Sequence, residues 1–200
     1  MSFNIYFVKF SKKVTLLLVC CAIFSSSYGQ GFYHGIGAQY NVGSFKQDFT
    51  ASNIESSTSS SIGVPGIFYK ATLALSEKFA VSAYPFLGFS GSANSRSGTN
   101  GSFSLQLPVV AELYFGEIDE SCFFVGAGLS YASIGSTDTS SGNIVGPQVS
   151  VGGQFEISGK LIGIRAAYSP GLNKSDEIAG VEYTKDSRSM LSLGAYYLFD

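Results

Sequence analysis

The sequence is poor in charge and in the residues from which catalytic and metal sites are usually built. Of its 200 residues 13% are charged, one is histidine, three are cysteine and none is tryptophan. A soluble domain carries about 25% charged residues, so this chain lacks the charge to cover a water-facing exterior. No segment approaches about 18 consecutive apolar residues, which argues against a transmembrane helix. Small and aromatic residues are abundant instead, with 24 glycines, 17 phenylalanines and 12 tyrosines.

Residues 1–29 are predicted to be a signal peptide. Three lysines, Lys9, Lys12 and Lys13, precede the largely apolar segment 14–24. The tripeptide at 27–29, Ser-Tyr-Gly, has the small-x-small pattern of a cleavage site. The apolar segment is too short to span a bilayer as a helix. The mature chain, residues 30–200, is therefore predicted to be a single domain that follows an export signal.

Removal of the signal peptide decides which cysteines and charges remain. Cys20 and Cys21 leave with it, although their position late in the apolar segment keeps lipidation open as an alternative. Cys122 is then alone, so neither an intrachain disulfide nor a cysteine-rich metal site can form. The 12 basic residues less three lysines leave nine against 14 acidic ones, a formal charge of −5. Such a chain, without a basic cluster, argues against a nucleic-acid partner, and no metal or cofactor is predicted.

The segment 103–115, FSLQLPVVAELYF, shows the pattern that organises the rest of the chain. Its odd positions are all apolar, whereas Ser104, Gln106 and Glu112 lie at even positions. A period of two is typical of a β-strand with two unlike faces. Twelve steps of about 3.3 Å make about 40 Å of strand, or about 30 Å along the axis of a barrel whose strands tilt by about 40°. This height matches a bilayer.

The same alternation occurs in eight segments of the mature chain. The links between them are short at 76–78, 116–122 and 158–161, and long and polar at 43–62, 90–102, 132–144 and 173–190. Short and long links that take turns indicate an up-and-down meander, and an even strand number is typical of a closed barrel. The predicted fold class is all-β, an eight-stranded antiparallel up-and-down transmembrane β-barrel. Its strands are predicted at 32–42, 63–75, 79–89, 103–115, 123–131, 145–157, 162–172 and 191–199.

The placement of charge distinguishes a membrane barrel from a soluble one. No apolar-face position in the eight segments is Asp, Glu, Lys or Arg, as hydrocarbon requires, because Lys or Arg at the midplane costs about 2 to 4 kcal/mol. The opposite face is predicted to line the lumen with a charge network that neutralises itself and closes the interior, formed by Lys70, Glu112, Glu156 and Arg165. A periplasmic-side aromatic girdle is predicted at the short-turn end from Phe32, Phe79, Phe115, Phe123, Phe155 and Phe199.

The local register depends on prolines and on the short turns. A pairing of Ile157 with Ile162 is expected at the third short turn, and it would place Arg165 diagonal to Glu156. Five prolines lie inside the predicted strands, where each removes a donor from the hydrogen-bond ladder. We therefore expect bulges or strand ends at Pro65, Pro85, Pro108, Pro147 and Pro170.

The signal peptide, the eight alternating segments and the C-terminal YYLF resemble the small outer-membrane β-barrel proteins of Gram-negative bacteria. The likeness is to the OmpA and OmpX type, and above all to the "porin family" barrels common in Bacteroidetes. It covers the whole mature chain, is architectural, and includes no catalytic motif. It implies a location in the bacterial outer membrane, contact with outer-membrane lipid, and recognition of Tyr197 and Phe199 by the barrel-assembly machinery. Asp200 departs from the usual terminal aromatic residue.

These observations favour a non-enzymatic outer-membrane protein. We expect an envelope structural or surface-interaction role through long extracellular loops, whose partner the sequence does not identify. Two alternatives stay open, a narrow passive channel and a lipid-modifying enzyme. The interior of an eight-stranded barrel is just wide enough for side chains to fill, which disfavours a wide pore. Lipid A deacylases of similar barrel type carry a His-x-Ser pair, whereas His34 is followed by Gly35 and Ile36, so no catalytic residue is predicted.

Overall fold

The computed structural model describes residues 31–51, 54–93, 99–136, 142–172 and 182–199. The predicted signal peptide, 1–29, lies outside these residues. Within them no helix is long and apolar enough to cross a membrane. Nine β-strands account for most of the described chain: β1 (Phe32–Ala51), β2 (Ile54–Ser76), β3 (Phe79–Ala83), β4 (Phe86–Ala93), β5 (Thr99–Phe115), β6 (Cys122–Ser136), β7 (Gly142–Ile157), β8 (Lys160–Pro170) and β9 (Glu182–Phe199).

The strands form one antiparallel sheet that closes on itself. Its order is β1, β9, β8, β7, β6, β5, then β3 with β4, then β2, and β2 pairs again with β1. β3 and β4 are two halves of one barrel strand, because both pair with β2 on one side and with β5 on the other. The wall therefore contains eight strands, and the predicted fold class is confirmed. Closure pairs the backbone of each spanning strand on both sides, as a membrane demands.

The two faces of the wall differ as the parity of the sequence predicts. Along β8 exposed and buried residues alternate from Lys160 onward. Large apolar side chains are exposed around the outside, with Val109 44%, Ile164 55% and Leu129 70% accessible. Polar side chains such as Gln106 are buried inside the barrel. An apolar exterior of this kind is compatible with lipid and would be unfavourable in water.

At the end that carries the long connections, three of the described strands continue furthest beyond the barrel wall. β1 pairs with β2 along its whole length, ending with Ala51 opposite Ile54. On its other side, β1 pairs with β9 as far as Thr50 opposite Glu182. At about 3.3 Å per residue, β1 continues about 30 Å past Val42, its last outward apolar residue. We call this three-stranded part the extension, and it comprises residues 43–51, 54–62 and 182–190.

The extension corrects the predicted extent of the long connections. The predicted connection 43–62 is wrong in extent, since its described residues are all in β1 and β2. Strands β4 to β7 and β9 likewise continue into the other three predicted connections. The alternation of the sequence ends where the membrane ends, because both faces of a strand above the membrane can meet water. A polar, serine-rich strand then has the composition of a loop.

The third short turn fixes a register that differs from the expected one. Ser158 and Gly159 have φ values of 55° and 73°, and two central residues with positive φ make a type I′ hairpin turn. Ile157 consequently pairs with Lys160. The expected pairing of Ile157 with Ile162 is wrong by two residues.

The prolines interrupt the sheet less than expected. Pro85 lies in the break between β3 and β4, and Pro170 is the last residue of β8, so a break and a strand end are confirmed there. The pairing of β2 with β4 also stops next to Pro65. No bulge or strand end occurs at Pro108 or Pro147, whose ladders with β6 are continuous. On their other sides the sheet is interrupted, since the pairing of β5 passes from β3 to β4 beside Pro108 and the pairing of β7 with β8 stops at Val149, two residues from Pro147.

Candidate functional site

A cluster of charged and aromatic side chains fills the short-turn half of the lumen around Lys70. This residue of β2 is 1% exposed. Its Nζ donates hydrogen bonds to Tyr114 Oη (3.2 Å), Tyr196 Oη (3.1 Å) and Gln154 Oε1 (3.0 Å). The ring centres of Tyr196 and Phe124 lie 4.5 and 4.9 Å from Nζ, a range at which a ring face attracts a cation. The ammonium is therefore held by three neutral acceptors and by aromatic faces.

Glu112 of β5 is the acidic member of this cluster and is fully buried. Tyr84 Oη donates to its Oε1, while Ser82 Oγ (2.6 Å) and Tyr114 Oη (2.8 Å) donate to its Oε2. A buried carboxylate is costly unless it is hydrogen-bonded, and here three hydroxyl donors satisfy it. Tyr114 also joins Glu112 to Lys70, because its hydroxyl accepts from the ammonium and donates to the carboxylate.

Arg165 of β8 is the third buried charge and is 4% exposed. Its guanidinium carbon lies 4.0 Å from the ring centre of Tyr84, the same tyrosine whose hydroxyl donates to Glu112. Two of its nitrogens, Nε and Nη2, have no hydrogen-bond partner among the described residues. The residues opposite Arg165 on the neighbouring strands are Gly152 and Gly194. The absence of side chains at these two positions makes room for aromatic rings, since a Cβ at Gly152 would lie 2.3 Å from the ring of Phe124 and one at Gly194 would lie 3.0 Å from the ring of Phe68.

A layer of amides crosses the lumen nearer the extension. Gln39 Nε2 donates to Asn41 Oδ1 (2.7 Å) and to Gln106 Oε1 (3.2 Å), and Asn41 Nδ2 donates to the same Gln106 oxygen (3.1 Å). Gln106 Nε2 donates in turn to Ser130 Oγ (3.2 Å). β1 and β5 are not neighbours in the wall, so these bonds span the interior.

An apolar cluster closes the lumen beyond the amide layer, and we call it the cap. Its members come from β6 and β7 on one side of the wall and from the base of the extension on the other, and Ile134 of β6 reaches Gly43 of β1 across the lumen. Together with the two layers below it, the cap obstructs the lumen along its length. It consists of Ala132, Ile134, Ile144 and Met190, with Phe45 and Ile62 packed against them.

Three of the four predicted lumen charges lie together, and the fourth does not. Lys70, Glu112 and Arg165 are buried, whereas Glu156 is exposed. Glu156 is two residues from the type I′ turn, and its backbone N–H donates to Ser121 Oγ (2.9 Å) at the rim of the barrel. Its even position places it on the lumen side, but the strand has already reached the water at that point. Glu156 is therefore corrected from a lumen charge to a rim residue.

The side chains that contact the buried charges were predicted to face the lumen, but not to contact these charges. Tyr84, Tyr114, Tyr196 and Gln154 occupy lumen positions by parity, which the sequence pattern does provide. The pairing of each hydroxyl with a particular charge depends on the stagger between strands and on the length of the side chains. An alternation of period two reveals neither the stagger nor the reach of a side chain.

The six phenylalanines of the predicted girdle lie on the outer face, at strand ends next to the short turns and the termini. Their accessible fractions range from 38% to 62%. Phe123 and Phe155 pack edge to face with ring centres 5.9 Å apart. A further pair, Phe89 and Phe103, lies 5.3 Å apart at the opposite border of the apolar wall. The girdle residues are Phe32, Phe79, Phe115, Phe123, Phe155 and Phe199.

His34 lies among aromatic rings on the outer face of β1. Its ring centre is 5.1 Å from that of Phe199 and 5.9 Å from those of Phe32 and Tyr69. Cys122 is a buried free thiol. In the described part of the chain, no group of three or more His, Cys, Asp or Glu side chains is placed to hold a metal ion. An open cleft of about 630 Å³ lies at the short-turn end between Tyr33 and the turn residues, which include Glu117.

A closed wall that is apolar outside and polar inside reverses the arrangement of a soluble ligand-binding barrel. The fold is that of a small outer-membrane β-barrel. The predicted resemblance to the OmpA and OmpX type is thereby confirmed at the level of architecture. The apolar outer wall agrees with the predicted location in the outer membrane.

Among known proteins, the solved structure of an outer membrane protein, OprG, supports this fold. No protein-family model matches the sequence, and no curated protein matches it. The outer membrane protein OprG from Pseudomonas aeruginosa is similar in structure, with a TM-score of 0.55 at 12% identity over 85% of this chain and 97% of OprG. Neisserial surface protein A matches at 16% identity over 81% of this chain and 96% of its own, with a TM-score of 0.39. Ail, the attachment invasion locus protein of Yersinia pestis, matches at 15% identity, over 82% and 99%, with a TM-score of 0.39.

Proposed function

We propose that this chain is a non-enzymatic outer-membrane barrel with a closed lumen that presents its extension at the cell surface as an interaction element. The observation that carries the proposal is the extension itself, which continues about 30 Å beyond the apolar wall. With the short turns and the strand termini on the periplasmic side, the extension projects from the cell. A stiff support of this kind is what binding segments need, because recognition residues are usually held by a rigid scaffold.

The chemistry of the extension supports a surface role. Its exposed side chains are small and polar, as at Ser59, Ser60 and Ser61, with the charged Lys46 beside them. Above Gly66, β2 pairs with β1 alone among the described strands. The other edge of β2 therefore offers backbone donors and acceptors to an extended partner segment.

The surroundings of His34 support the non-enzymatic part of the proposal. A nucleophilic enzyme needs a hydroxyl, a base and an orienting group within hydrogen-bond reach of one another. The sole histidine instead contacts three aromatic rings at the border of the apolar wall.

Shortening the extension tests the surface role. Phe45 lies opposite Ser60, so replacing residues 46–59 by Asn-Gly allows a two-residue type I′ turn. Both strands lose an even number of residues, which keeps the alternation of their hydrogen-bonded pairs. The shortened protein should fold, with heat-modifiable gel migration and an unchanged unfolding midpoint, whereas cells that express it should lose attachment and self-agglutination.

The matched control for the shortened protein is the full-length Lys46→Gln variant, which changes one exposed charge and keeps the extension. It should attach like the wild type. If the shortened protein leaves attachment unchanged but makes the envelope permeable to dyes or detergent, the role is structural and the surface proposal is wrong.

A narrow passive channel is the second candidate, favoured by polar lumen groups for which the described chain offers no hydrogen-bond partner, among them Gln148 and Ser192. We expect no current steps from the folded protein in planar bilayers, because the cap and the amide layer both cross the lumen. The heat-modifiable gel applied to the same preparation checks that the barrel is folded. Regular steps of uniform conductance would favour the channel over the closed barrel.

A further inference from the structure

The buried charges of the lumen do not balance. Lys70 and Arg165 are positive, Glu112 is negative, and Glu156, which would have completed two pairs, lies exposed at the rim. Among the described residues buried in the barrel, the formal charge is therefore +1. An uncompensated charge is costly in an interior shielded from water, so the excess calls for a counter-charge.

The carboxylate of Glu112 is engaged by hydroxyl groups. Its two oxygens accept hydrogen bonds from three hydroxyls, and one of them, that of Tyr114, links it to Lys70. The guanidinium carbon of Arg165 lies 4.0 Å from the ring centre of Tyr84, and Nε and Nη2 have no hydrogen-bond partner among the described residues. These two donors are thus left for another acceptor.

The unpartnered atoms of Arg165 form a defined recognition element. Nε and Nη2 lie on one edge of the planar guanidinium, and this edge can bind two acceptor atoms of one anion through parallel hydrogen bonds. Neither nitrogen has a partner among the described residues, and the side chain is 96% buried, since 4% is exposed. This edge of the guanidinium therefore lies inside the barrel, shielded from bulk water, with its two donors available to a ligand.

Neutral polar groups lie on the neighbouring strands, one lumen position nearer the extension than Arg165. Ala167, two residues beyond Arg165 on the same face of β8, pairs with Ser150 of β7 and with Ser192 of β9. Both serine hydroxyls are buried and have no partner within the described part of the chain, and the same is true of the amide atoms of Gln148, one lumen position further along β7. Arg165 and this set of unpartnered hydroxyl and amide groups thus occupy consecutive lumen positions on three adjacent strands, which we call the patch.

We propose that this patch binds one small monovalent anion inside the lumen. Arg165 supplies the charge and the paired donors, and Ser150 and Ser192 complete the shell. Bound there, the anion brings the buried charge to zero. The cap covers the patch from the side of the extension, so the anion enters while the barrel folds or when the cap opens. Two kinds of anion fit this description, a halide and a small carboxylate such as formate.

Refolding in defined salts tests the site. The full-length mature barrel is refolded into detergent in sodium bromide, sodium formate or sodium gluconate at equal ionic strength, gluconate being too large for a filled lumen. We expect a higher urea midpoint of unfolding in bromide or formate than in gluconate. A rise in bromide alone assigns a halide site, and a rise in formate alone assigns a carboxylate site. Equal midpoints in all three salts would overturn the proposal.

Variants and crystallography locate the effect. Arg165→Gln should abolish the salt difference, whereas Arg188→Gln, which removes an arginine of the extension whose Nη1 donates to the Asn143 carbonyl, should keep it. If Arg165→Gln does not fold, crystals of the wild type grown in the anion that raised the midpoint give the answer alone. They should show an anomalous peak for bromide, or a density peak of the size of formate, beside the guanidinium of Arg165. Peaks confined to the protein surface, or a salt difference that survives Arg165→Gln, would contradict the site.

Discussion

Replacing Val109 by arginine should lower the free energy of unfolding by about 2 to 4 kcal/mol, because the residue faces hydrocarbon near the middle of the membrane. Val109 is the central residue of the outward row of β5 that runs from Phe103 to Phe115, and 44% of it is accessible on the outer face. A guanidinium at this depth has no acceptor and must distort the bilayer to reach water. The measurement is reversible unfolding by denaturant in lipid vesicles.

The matched control places the same arginine at the membrane border. Phe115 lies on the same strand and the same outer row, next to the short turn, and 62% of it is exposed. Phe115→Arg should cost about 0 to 1 kcal/mol, since the penalty for a charge falls toward the interface. Equal costs at the two depths would contradict the assignment of the outward row of β5 to lipid.

The facing of the wall could be predicted because lipid imposes a simple rule on each strand separately. Every second residue of a spanning strand must be apolar and uncharged, so Val109 and Ile164 reveal their position without knowledge of their neighbours. The eight spanning segments followed from this rule, and so did the lumen side of Lys70, Glu112 and Arg165. These are properties of one strand at a time.

The features that were missed depend on several strands together or on the absence of lipid. The position of Glu156 at the rim is set by the two-residue turn at Ser158 and Gly159, which moves the pairing by two residues. The extension carries no apolar alternation because no membrane surrounds it. The partnership of Lys70 with Tyr114 joins two strands whose stagger the sequence does not state.

Removing the buried carboxylate should have the largest effect of any single change considered. Glu112→Gln should cost about 3 to 5 kcal/mol of unfolding free energy, because removal of one partner leaves the other charge buried and uncompensated. Ser82, Tyr84 and Tyr114 also lose a charged acceptor. Adding Lys70→Met, which removes the cation that shares Tyr114, should recover part of the loss. The double-mutant cycle should give a coupling of about 0.5 to 3 kcal/mol, the range found for residues within one network.

The control is a second double-mutant cycle, between Glu156 and Arg165. The sequence pattern alone predicts that these two residues are coupled, whereas the structure predicts that they are not. Glu156 pairs with Leu161, and Arg165 lies four residues further along β8, about 13 Å away at the rise of a strand. Glu156→Gln should change stability by no more than about 0.5 kcal/mol, as expected of an exposed residue without a special contact, and its coupling to Arg165→Gln should be within about 0.3 to 0.5 kcal/mol of zero. Strong coupling between Glu156 and Arg165, together with weak coupling between Lys70 and Glu112, would show that Glu156 lies in the lumen and not at the rim. Two acidic and two basic side chains would then neutralise one another in the lumen, and no anion would be needed beside Arg165.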